Sequence, residues 1–452
     1  MGGSGSLALG PAHALLRHRD GVGRRSSEAD GLQISWIAAA TLCVIGTGMA
    51  YTLWWGHVVQ HHVWWVDPAD SWGIIRGAHW VAWGGFSYIY NAKYTGVLTL
   101  PGFEILLAPF AALSSALHLS ETAPGLLPNI EPNAWLLFGP IFFATTAAAL
   151  FAFDALALTL QIRVQRRRLL IILEAAALWQ IITFWGHPED VLALAFLCFA
   201  VNATLTSRWT AAGWLLGAAL AMQLFSLTLV PILLGLAGWR RAPSLIARAA
   251  VLPGFLFLAV VVPNPHTTLQ ALINQPAYPK ILFPTPWLSL APKLAHGAVA
   301  GGPARLVGFA VAIGSGVLAA RRREDPWVVI WLIAAALAGR SLFESVIVPY
   351  YMVPAIAFAL IVGFSSGRAR MTMTVIVAGL LVHFSYLRSG AWTYWSVVTV
   401  ISLALLVVAY PWRTAAIGGE CDEQAEPPSA DDLDFALARG DSPAVPAALG
   451  RR

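Results

Sequence analysis

The chain has 452 residues, 58% of them hydrophobic and only 11% charged, with a formal net charge of +5 and a mean hydropathy of +0.68. A soluble domain carries about 25% charged residues, so the composition excludes an ordinary soluble enzyme and points to an all-α, polytopic membrane protein. The basic residues stand in short clusters between apolar spans, which speaks against a nucleic-acid partner and for orientation signals at a lipid surface.

Residues 1–33 are rich in Gly, Ser, Arg and His and contain no short apolar stretch ending in a small-residue cleavage site. They are expected to form a disordered cytoplasmic N-terminus rather than a removable signal. The first apolar span, 34–55, is long enough to cross a hydrocarbon core of about 30 Å, which takes roughly 20 helical residues. Further apolar segments follow at 98–117, 134–160, 169–185, 191–205, 209–222, 223–237, 244–262, 303–320, 326–343, 349–364, 371–388 and 393–410. Several are short for a full crossing, so tilted, broken or half helices are expected among roughly 11–13 transmembrane or half-spanning helices. Residues 34–411 form this membrane domain, with outer loops at 56–97 and 264–302. Residues 412–452, rich in Ala, Pro, Asp and Glu, read as a disordered cytoplasmic tail. The three cysteines, Cys43, Cys198 and Cys421, are too scattered for a disulfide framework or a zinc knuckle.

The clusters Arg163 to Arg168, Arg208, Arg240 with Arg241, Arg321 to Arg323 and Arg368 to Arg370 are assigned to the cytoplasmic side. That places Gly186 to Asp190, 264–302, Arg340 to Pro349 and the loop behind the first helix together on the other face. Two full crossings between that loop and Arg163 would break the alternation. Segment 98–117, interrupted by Pro101, Glu104 and Pro109, is the one expected not to cross simply.

Chemistry concentrates in the first outer loop. It reads Asp67-Pro-Ala-Asp70-Ser-Trp72, then Arg76-Gly-Ala-His79, then Gly84-Gly85-Phe-Ser-Tyr88-Ile-Tyr90, and leads to Leu100-Pro101-Gly102-Phe-Glu104. Farther on, Trp185-Gly186-His187-Pro188-Glu189-Asp190 opens an apolar helix, and Tyr350-Tyr351-Met-Val-Pro354 opens a late one. The order of these motifs resembles the GT-C superfamily of integral-membrane glycosyltransferases, in particular the bacterial polyprenyl-phosphate-mannose-dependent α-mannosyltransferases. Similar sequences often have a basic residue where this chain has Gln223.

The resemblance implies a GT-C-like fold in the plasma membrane with its site on the extracytoplasmic face. The donor would be a polyprenyl phosphate sugar, mannose first and arabinose as the alternative, and the acceptor a cell-envelope glycolipid or glycan. Such a transfer needs a carboxylate to take the acceptor hydroxyl proton and donors or cations to stabilise the departing phosphate. Asp70 is the first choice for base and Asp67 the second. Arg340, His187, Arg76 and His79, with Lys93, are the candidates facing donor phosphate, and Glu189, Asp190, Glu344 and Tyr350 complete the substrate-binding set.

Each assignment has a plainer counterpart. Asp70 suits an N-cap for a helix starting at Ser71. Pro188, Glu189 and Asp190 suit the first turn of a helix. Arg340 and Glu344, four apart, suit an ion pair on one helical face. His57 and His61, with Asp67 or Asp70, have metal-ligand spacing, but the neighbouring Trp54, Trp55, Trp64 and Trp65 suit an interfacial aromatic belt. The adopted reading assigns no metal and no cofactor, with a divalent ion as the open alternative. A transporter or lipid flippase using the intramembrane Asp154, Glu174 and Arg340 is the competing function.

Overall fold

A computed structural model describes residues 25–60, 64–68, 70–91, 97–121, 132–279 and 283–412. The expected N-terminal and C-terminal disordered segments, apart from residues 25–33 and Trp412, lie outside the described residues.

Among the described residues, fourteen α-helices make up the fold. They are α1 (Arg25–Trp55), α2 (Ser71–Ala82), α3 (Gly102–Ala116), α4 (Trp135–Thr159), α5 (Val164–Gln180), α6 (Pro188–Leu205) and α7 (Trp209–Met222), then α8 (Val230–Val261), α9 (Pro265–Asn274), α10 (Arg305–Arg321), α11 (Pro326–Leu342), α12 (Val353–Gly363), α13 (Arg368–Phe384) and α14 (Ala391–Ala409). Two short strands, β1 (Phe283–Pro284) and β2 (Val346–Ile347), pair antiparallel. The protein is all-α and polytopic in design. Six of its described helical stretches are long and apolar enough to cross a membrane, which fits a multi-pass membrane protein.

The helices run between two chemically different ends. At one end Arg167 holds Asp154 through Nε–Oδ1 at 2.8 Å and Nη2–Oδ2 at 2.5 Å, while Gln33 donates to Asp154 Oδ1 at 2.8 Å. There too, Arg166 donates to the carbonyls of Phe364 and Ser366 at 2.9 and 2.6 Å, Arg168 lies over Trp36, and Arg241 lies over Trp209. The basic clusters separated in sequence are thus gathered by the fold. The other end carries the loops that follow α1, α5 and α11.

The expected exception at 98–117 has a simple geometry. Trp135 Nε1 donates to Thr52 Oγ1 at 3.2 Å, so α4 starts beside the point where α1 is finishing. Everything between them therefore leaves and returns at the same end. The C-terminal side of α3 is tied there by Ala134 N–H to Ser120 O at 2.9 Å. Its N-terminus is there as well, because a Cβ on Gly102 would lie 2.5 Å from the carbonyl oxygen of Ala221, at the close of α7. With 15 residues α3 is about 22 Å long, too short for a core of about 30 Å. It lies across the end of the bundle and packs on α2.

Burial sorts the helices into inner and outer ones. Every residue of α12 is buried, as are most of α6 and α11, the all-round apolar pattern of a helix with no solvent or lipid face. Phe138, Phe142, Phe143 and Phe153 of α4 complete this centre. Leu306, Phe309 and Ile313 of α10, Met373 and Ile376 of α13, and Val400 and Leu403 of α14 are exposed; in a bilayer such a surface meets acyl chains rather than water.

Candidate functional site

Two widened turns deliver the first pair of site residues. The last turn of α1 passes into a π-turn, Gly56–Gln60, and α5 ends in another, Ile181–Trp185. Such single-turn π segments are frequent at functional sites, because they free carbonyls and re-aim the chain. Here the freed carbonyl of Trp185 accepts the Asp70 N–H at 3.2 Å. Gly186 then turns the chain with φ at +73°, a left-handed conformation suited to glycine. A Cβ there would also fall 2.8 Å from Ser71 N and 3.1 Å from Pro68 Cβ, so the glycine lets two loops touch.

That contact sets the chemistry. Asp70 occupies the N-cap position of α2, yet its side chain makes no capping hydrogen bond. The carboxylate is instead 53% exposed, with Oδ2 3.1 Å from His187 Nε2, while His187 Nδ1 lies 2.6 Å from Oε1 of the buried Glu189. Burial pulls the His187 imidazole down, but the Glu189 charge and the hydrogen bonds the ring makes to Asp70 and Glu189 outweigh it and leave its pKa well above the ordinary histidine value. When protonated, the ring donates from both nitrogens and holds Asp70 at the mouth of the site. Its face packs against Tyr350, 4.8 Å between ring centroids.

Deeper in, Asp190 Oδ1 accepts from Gln223 Nε2 at 2.5 Å, and Gln223 Oε1 accepts from Leu224 N–H at 3.0 Å. Gln223 therefore serves the buried Asp190 rather than an incoming phosphate. Glu104 is 2% exposed, and burial first, with a smaller push from the Glu189 charge, raises its carboxyl pKa to about 8. Two cations of this end come from α10 and α11. Arg340 lies over the rings of Tyr351 and Phe225, at 5.0 and 6.0 Å, and reaches Glu344 Oε1 only at 3.6 Å. Arg305 takes the same carboxylate more closely, Nε to Oε2 at 2.7 Å, and donates through Nη1 to Gln275 Oε1 at 2.9 Å.

The structure thus brings Asp70, His187, Glu189, Asp190, Arg340, Glu344 and Tyr350 to one end of the bundle. Asp67 sits on the same loop but faces elsewhere, accepting from the Ser71 hydroxyl at 3.1 Å and lining a small cavity with Trp72, Glu121 and Trp135. His79 pairs with Glu121 through Nε2, stands 3.1 Å from Ser115 Oγ through Nδ1, and belongs to the packing of α2 on α3 and α4. Arg76 is half-buried and forms no ion pair among the described residues. His57 stacks on Trp64; His61, His62 and Lys93 lie outside the described residues. Among the described residues no three His, Cys, Asp or Glu side chains are grouped to hold a metal ion.

Two residues of this end were not legible as site residues. Gln275 lies within the outer loop and Arg305 about thirty positions on, just past its end, and only folding joins the two beside Glu344. The signal available was the position of Arg305 at the mouth of an apolar helix, where a cation is costly unless it has a partner. Beside the site, a groove of about 700 Å³ is walled by Phe184, Val382, Phe384, Tyr386 and Leu387, with Gln180 and His383. The Tyr386 hydroxyl accepts from Trp185 Nε1 and reaches Gln180 Oε1, both at 3.3 Å, so this wall adjoins the turn that positions Asp70.

Comparison with protein-family models, with curated proteins and with solved structures found no significant match to the chain.

Proposed function

We propose that the protein is a membrane glycosyltransferase that moves a sugar, mannose first, from a polyprenyl phosphate to a glycolipid or glycan of the cell envelope. The observation that carries this reading is the state of Asp70. A residue placed to cap a helix leaves its carboxylate uncapped, half exposed, and oriented by a charged histidine that is itself held by a buried glutamate. An oriented carboxylate open to an incoming hydroxyl is the group that such a transfer requires. The order of motifs that resembles the GT-C superfamily supplies the substrate class.

In this mechanism Asp70 accepts the proton of the acceptor hydroxyl as its oxygen bonds to the anomeric carbon. The bond from that carbon to the polyprenyl phosphate oxygen breaks in line, so the configuration inverts. Arg340 takes the leaving phosphate, since its guanidinium has only a long contact to Glu344 and two aromatic faces beside it. The groove beside Trp185 gives the prenyl chain an apolar wall. The basic clusters at the opposite end suit the cytoplasmic side, which supports a site on the extracytoplasmic face of the plasma membrane.

The test is transfer by the purified protein in lipid, with radiolabelled polyprenyl-phosphate mannose or arabinose as donor and envelope glycolipid as acceptor. Label should appear in the glycolipid with wild type and disappear with Asp70→Asn while that variant remains folded. Absence of transfer by the wild type with both donors would reject the reading.

The transporter alternative draws on one specific observation. Glu174 is fully buried in α5, and neither carboxylate oxygen has a hydrogen-bond partner among the described residues. Asp154, the other acid of that reading, is fully engaged by Arg167 and Gln33. A transport cycle would rest on Glu174 and would tolerate Asp70→Asn.

A further inference from the structure

Glu344 is claimed by two arginines, and the claims are unequal. Its carboxylate is buried, one oxygen is 2.7 Å from Arg305 Nε, and the other is 3.6 Å from Arg340 Nη2. Arg340 stands in the last turn of α11 and Glu344 two residues beyond its end at Leu342, so the two are four apart in the chain but not on one helical face. Their contact is long, and Arg305 is the group that holds the acid closely.

The surroundings of Arg305 are shaped to hold it there. Its guanidinium lies across Gly301, where a Cβ would fall on Nη1 and Cζ. Gln275 Oε1 takes a second donor from the other side at 2.9 Å, and Gln275 does so from a left-handed backbone, φ 40° and ψ 67°. A non-glycine residue in that conformation costs about 1–3 kcal/mol and persists where its surroundings over-determine it. The backbones of α10 and α11 approach closely where Gly308 meets Arg340, a Cβ at Gly308 falling 3.0 Å from the Arg340 Cα. This seats Arg305 and Glu344 at one level.

We infer that Arg305 is a positioning residue that restrains Glu344 from Arg340, so that Arg340 remains free to bind a phosphate. Glu344 is then the resident anion of the site, and the incoming phosphate replaces its weak hold on Arg340. The inference rests on the phosphate-binding part of the proposed function and names the regulation of that same site. If Arg305 is lost, Glu344 is left buried with one arginine, closes on it, and removes the phosphate ligand. If Glu344 is lost as well, Arg340 is free again.

The experiment measures binding of sugar-free polyprenyl phosphate to the full-length protein in nanodiscs, for wild type, Arg305→Gln, Glu344→Gln and the double variant, alongside transfer from the sugar-loaded donor. Arg305→Gln should weaken binding about tenfold or more, since a freed buried acid captures Arg340, and should raise KM for the donor more than it lowers kcat. The double variant should recover to within about threefold of wild type, a rescue that mere misfolding of Arg305→Gln would not give. Arg305→Lys keeps the charge and should retain most of the affinity. Equal affinity in all the proteins, or a double variant no better than Arg305→Gln, would overturn the inference. Wild-type binding with the expected pattern but without transfer would overturn the glycosyltransferase reading and leave the arginine assignment standing. Absence of binding by the wild type would overturn both.

Discussion

Asp70 and Asp154 are both carboxylates bonded to a cation, at opposite ends of one bundle, and the contrast between them separates chemistry from architecture. Asp154 is 13% exposed and receives a two-point grip from Arg167 together with an amide from Gln33. A carboxylate so supplied has little capacity left to accept a proton or a ligand, and its charge is offset where it sits. Asp70 has a single imidazole partner and half its surface open. The first arrangement closes helices α1, α4 and α5 against one another; the second leaves a basic oxygen oriented and uncovered.

The comparison breaks most sharply under amide substitution. Asp70→Asn should lower transfer about 10²–10⁴-fold, the usual contribution of a general base, with only a small drop in melting temperature in detergent from the weakened His187 contact. Asp154→Asn should do the reverse. Leaving Arg167 buried without its partner should cost about 3 kcal/mol of stability, read as a lowered melting temperature, while the protein that remains folded keeps its transfer rate.

Titration of His187 sharpens the contrast further, because Asp154 pairs with an arginine that does not titrate in the working range. The raised folded pKa of His187 means that its stabilising bonds to Asp70 and Glu189 are fully present below the unfolded histidine value near 6.5 and are lost as pH rises through the higher folded value. Transfer and thermal stability should both fall on that alkaline limb. Glu189→Gln removes the largest raising influence on the ring and should move the limb to lower pH.

Smaller effects follow from the loop contact. Gly186→Ala puts a Cβ into a left-handed turn and against Ser71, so it should cost more than about 1 kcal/mol and lower transfer about tenfold by displacing Asp70. Tyr386→Phe removes two long hydrogen bonds behind Trp185 and should cost about 1 kcal/mol or less, with transfer lowered at most severalfold. Both are read by the same melting and transfer assays.

The helices were largely legible because apolar runs in this chain are bounded by arginines, prolines and glycines. Charge alternation, together with the interruptions at Pro101, Glu104 and Pro109, pointed to 98–117 as the segment without a simple crossing, and α3 packs across the end of the bundle. Boundaries were less legible. Helix α5 begins at Val164 rather than near 169, since arginines are good helix formers whose stems can lie along apolar surface. The segments read as 223–237 and 244–262 join into α8 with a break at Gly238, and the outer loop 264–302 hides α9 and strand β1. Of the site, the Asp70 loop and the Gly186 turn stand out as polar motifs at the ends of apolar spans. The sharing of Glu344 between Arg305 and Arg340 depends on how α10 meets α11, which no local pattern encodes.

The most direct test places Asp70→Asn and Asp154→Asn side by side and measures sugar transferred from polyprenyl-phosphate mannose per folded molecule. Near-complete loss is expected in the first and wild-type transfer in the second. Retained transfer in Asp70→Asn, or its loss in folded Asp154→Asn, would contradict that expectation.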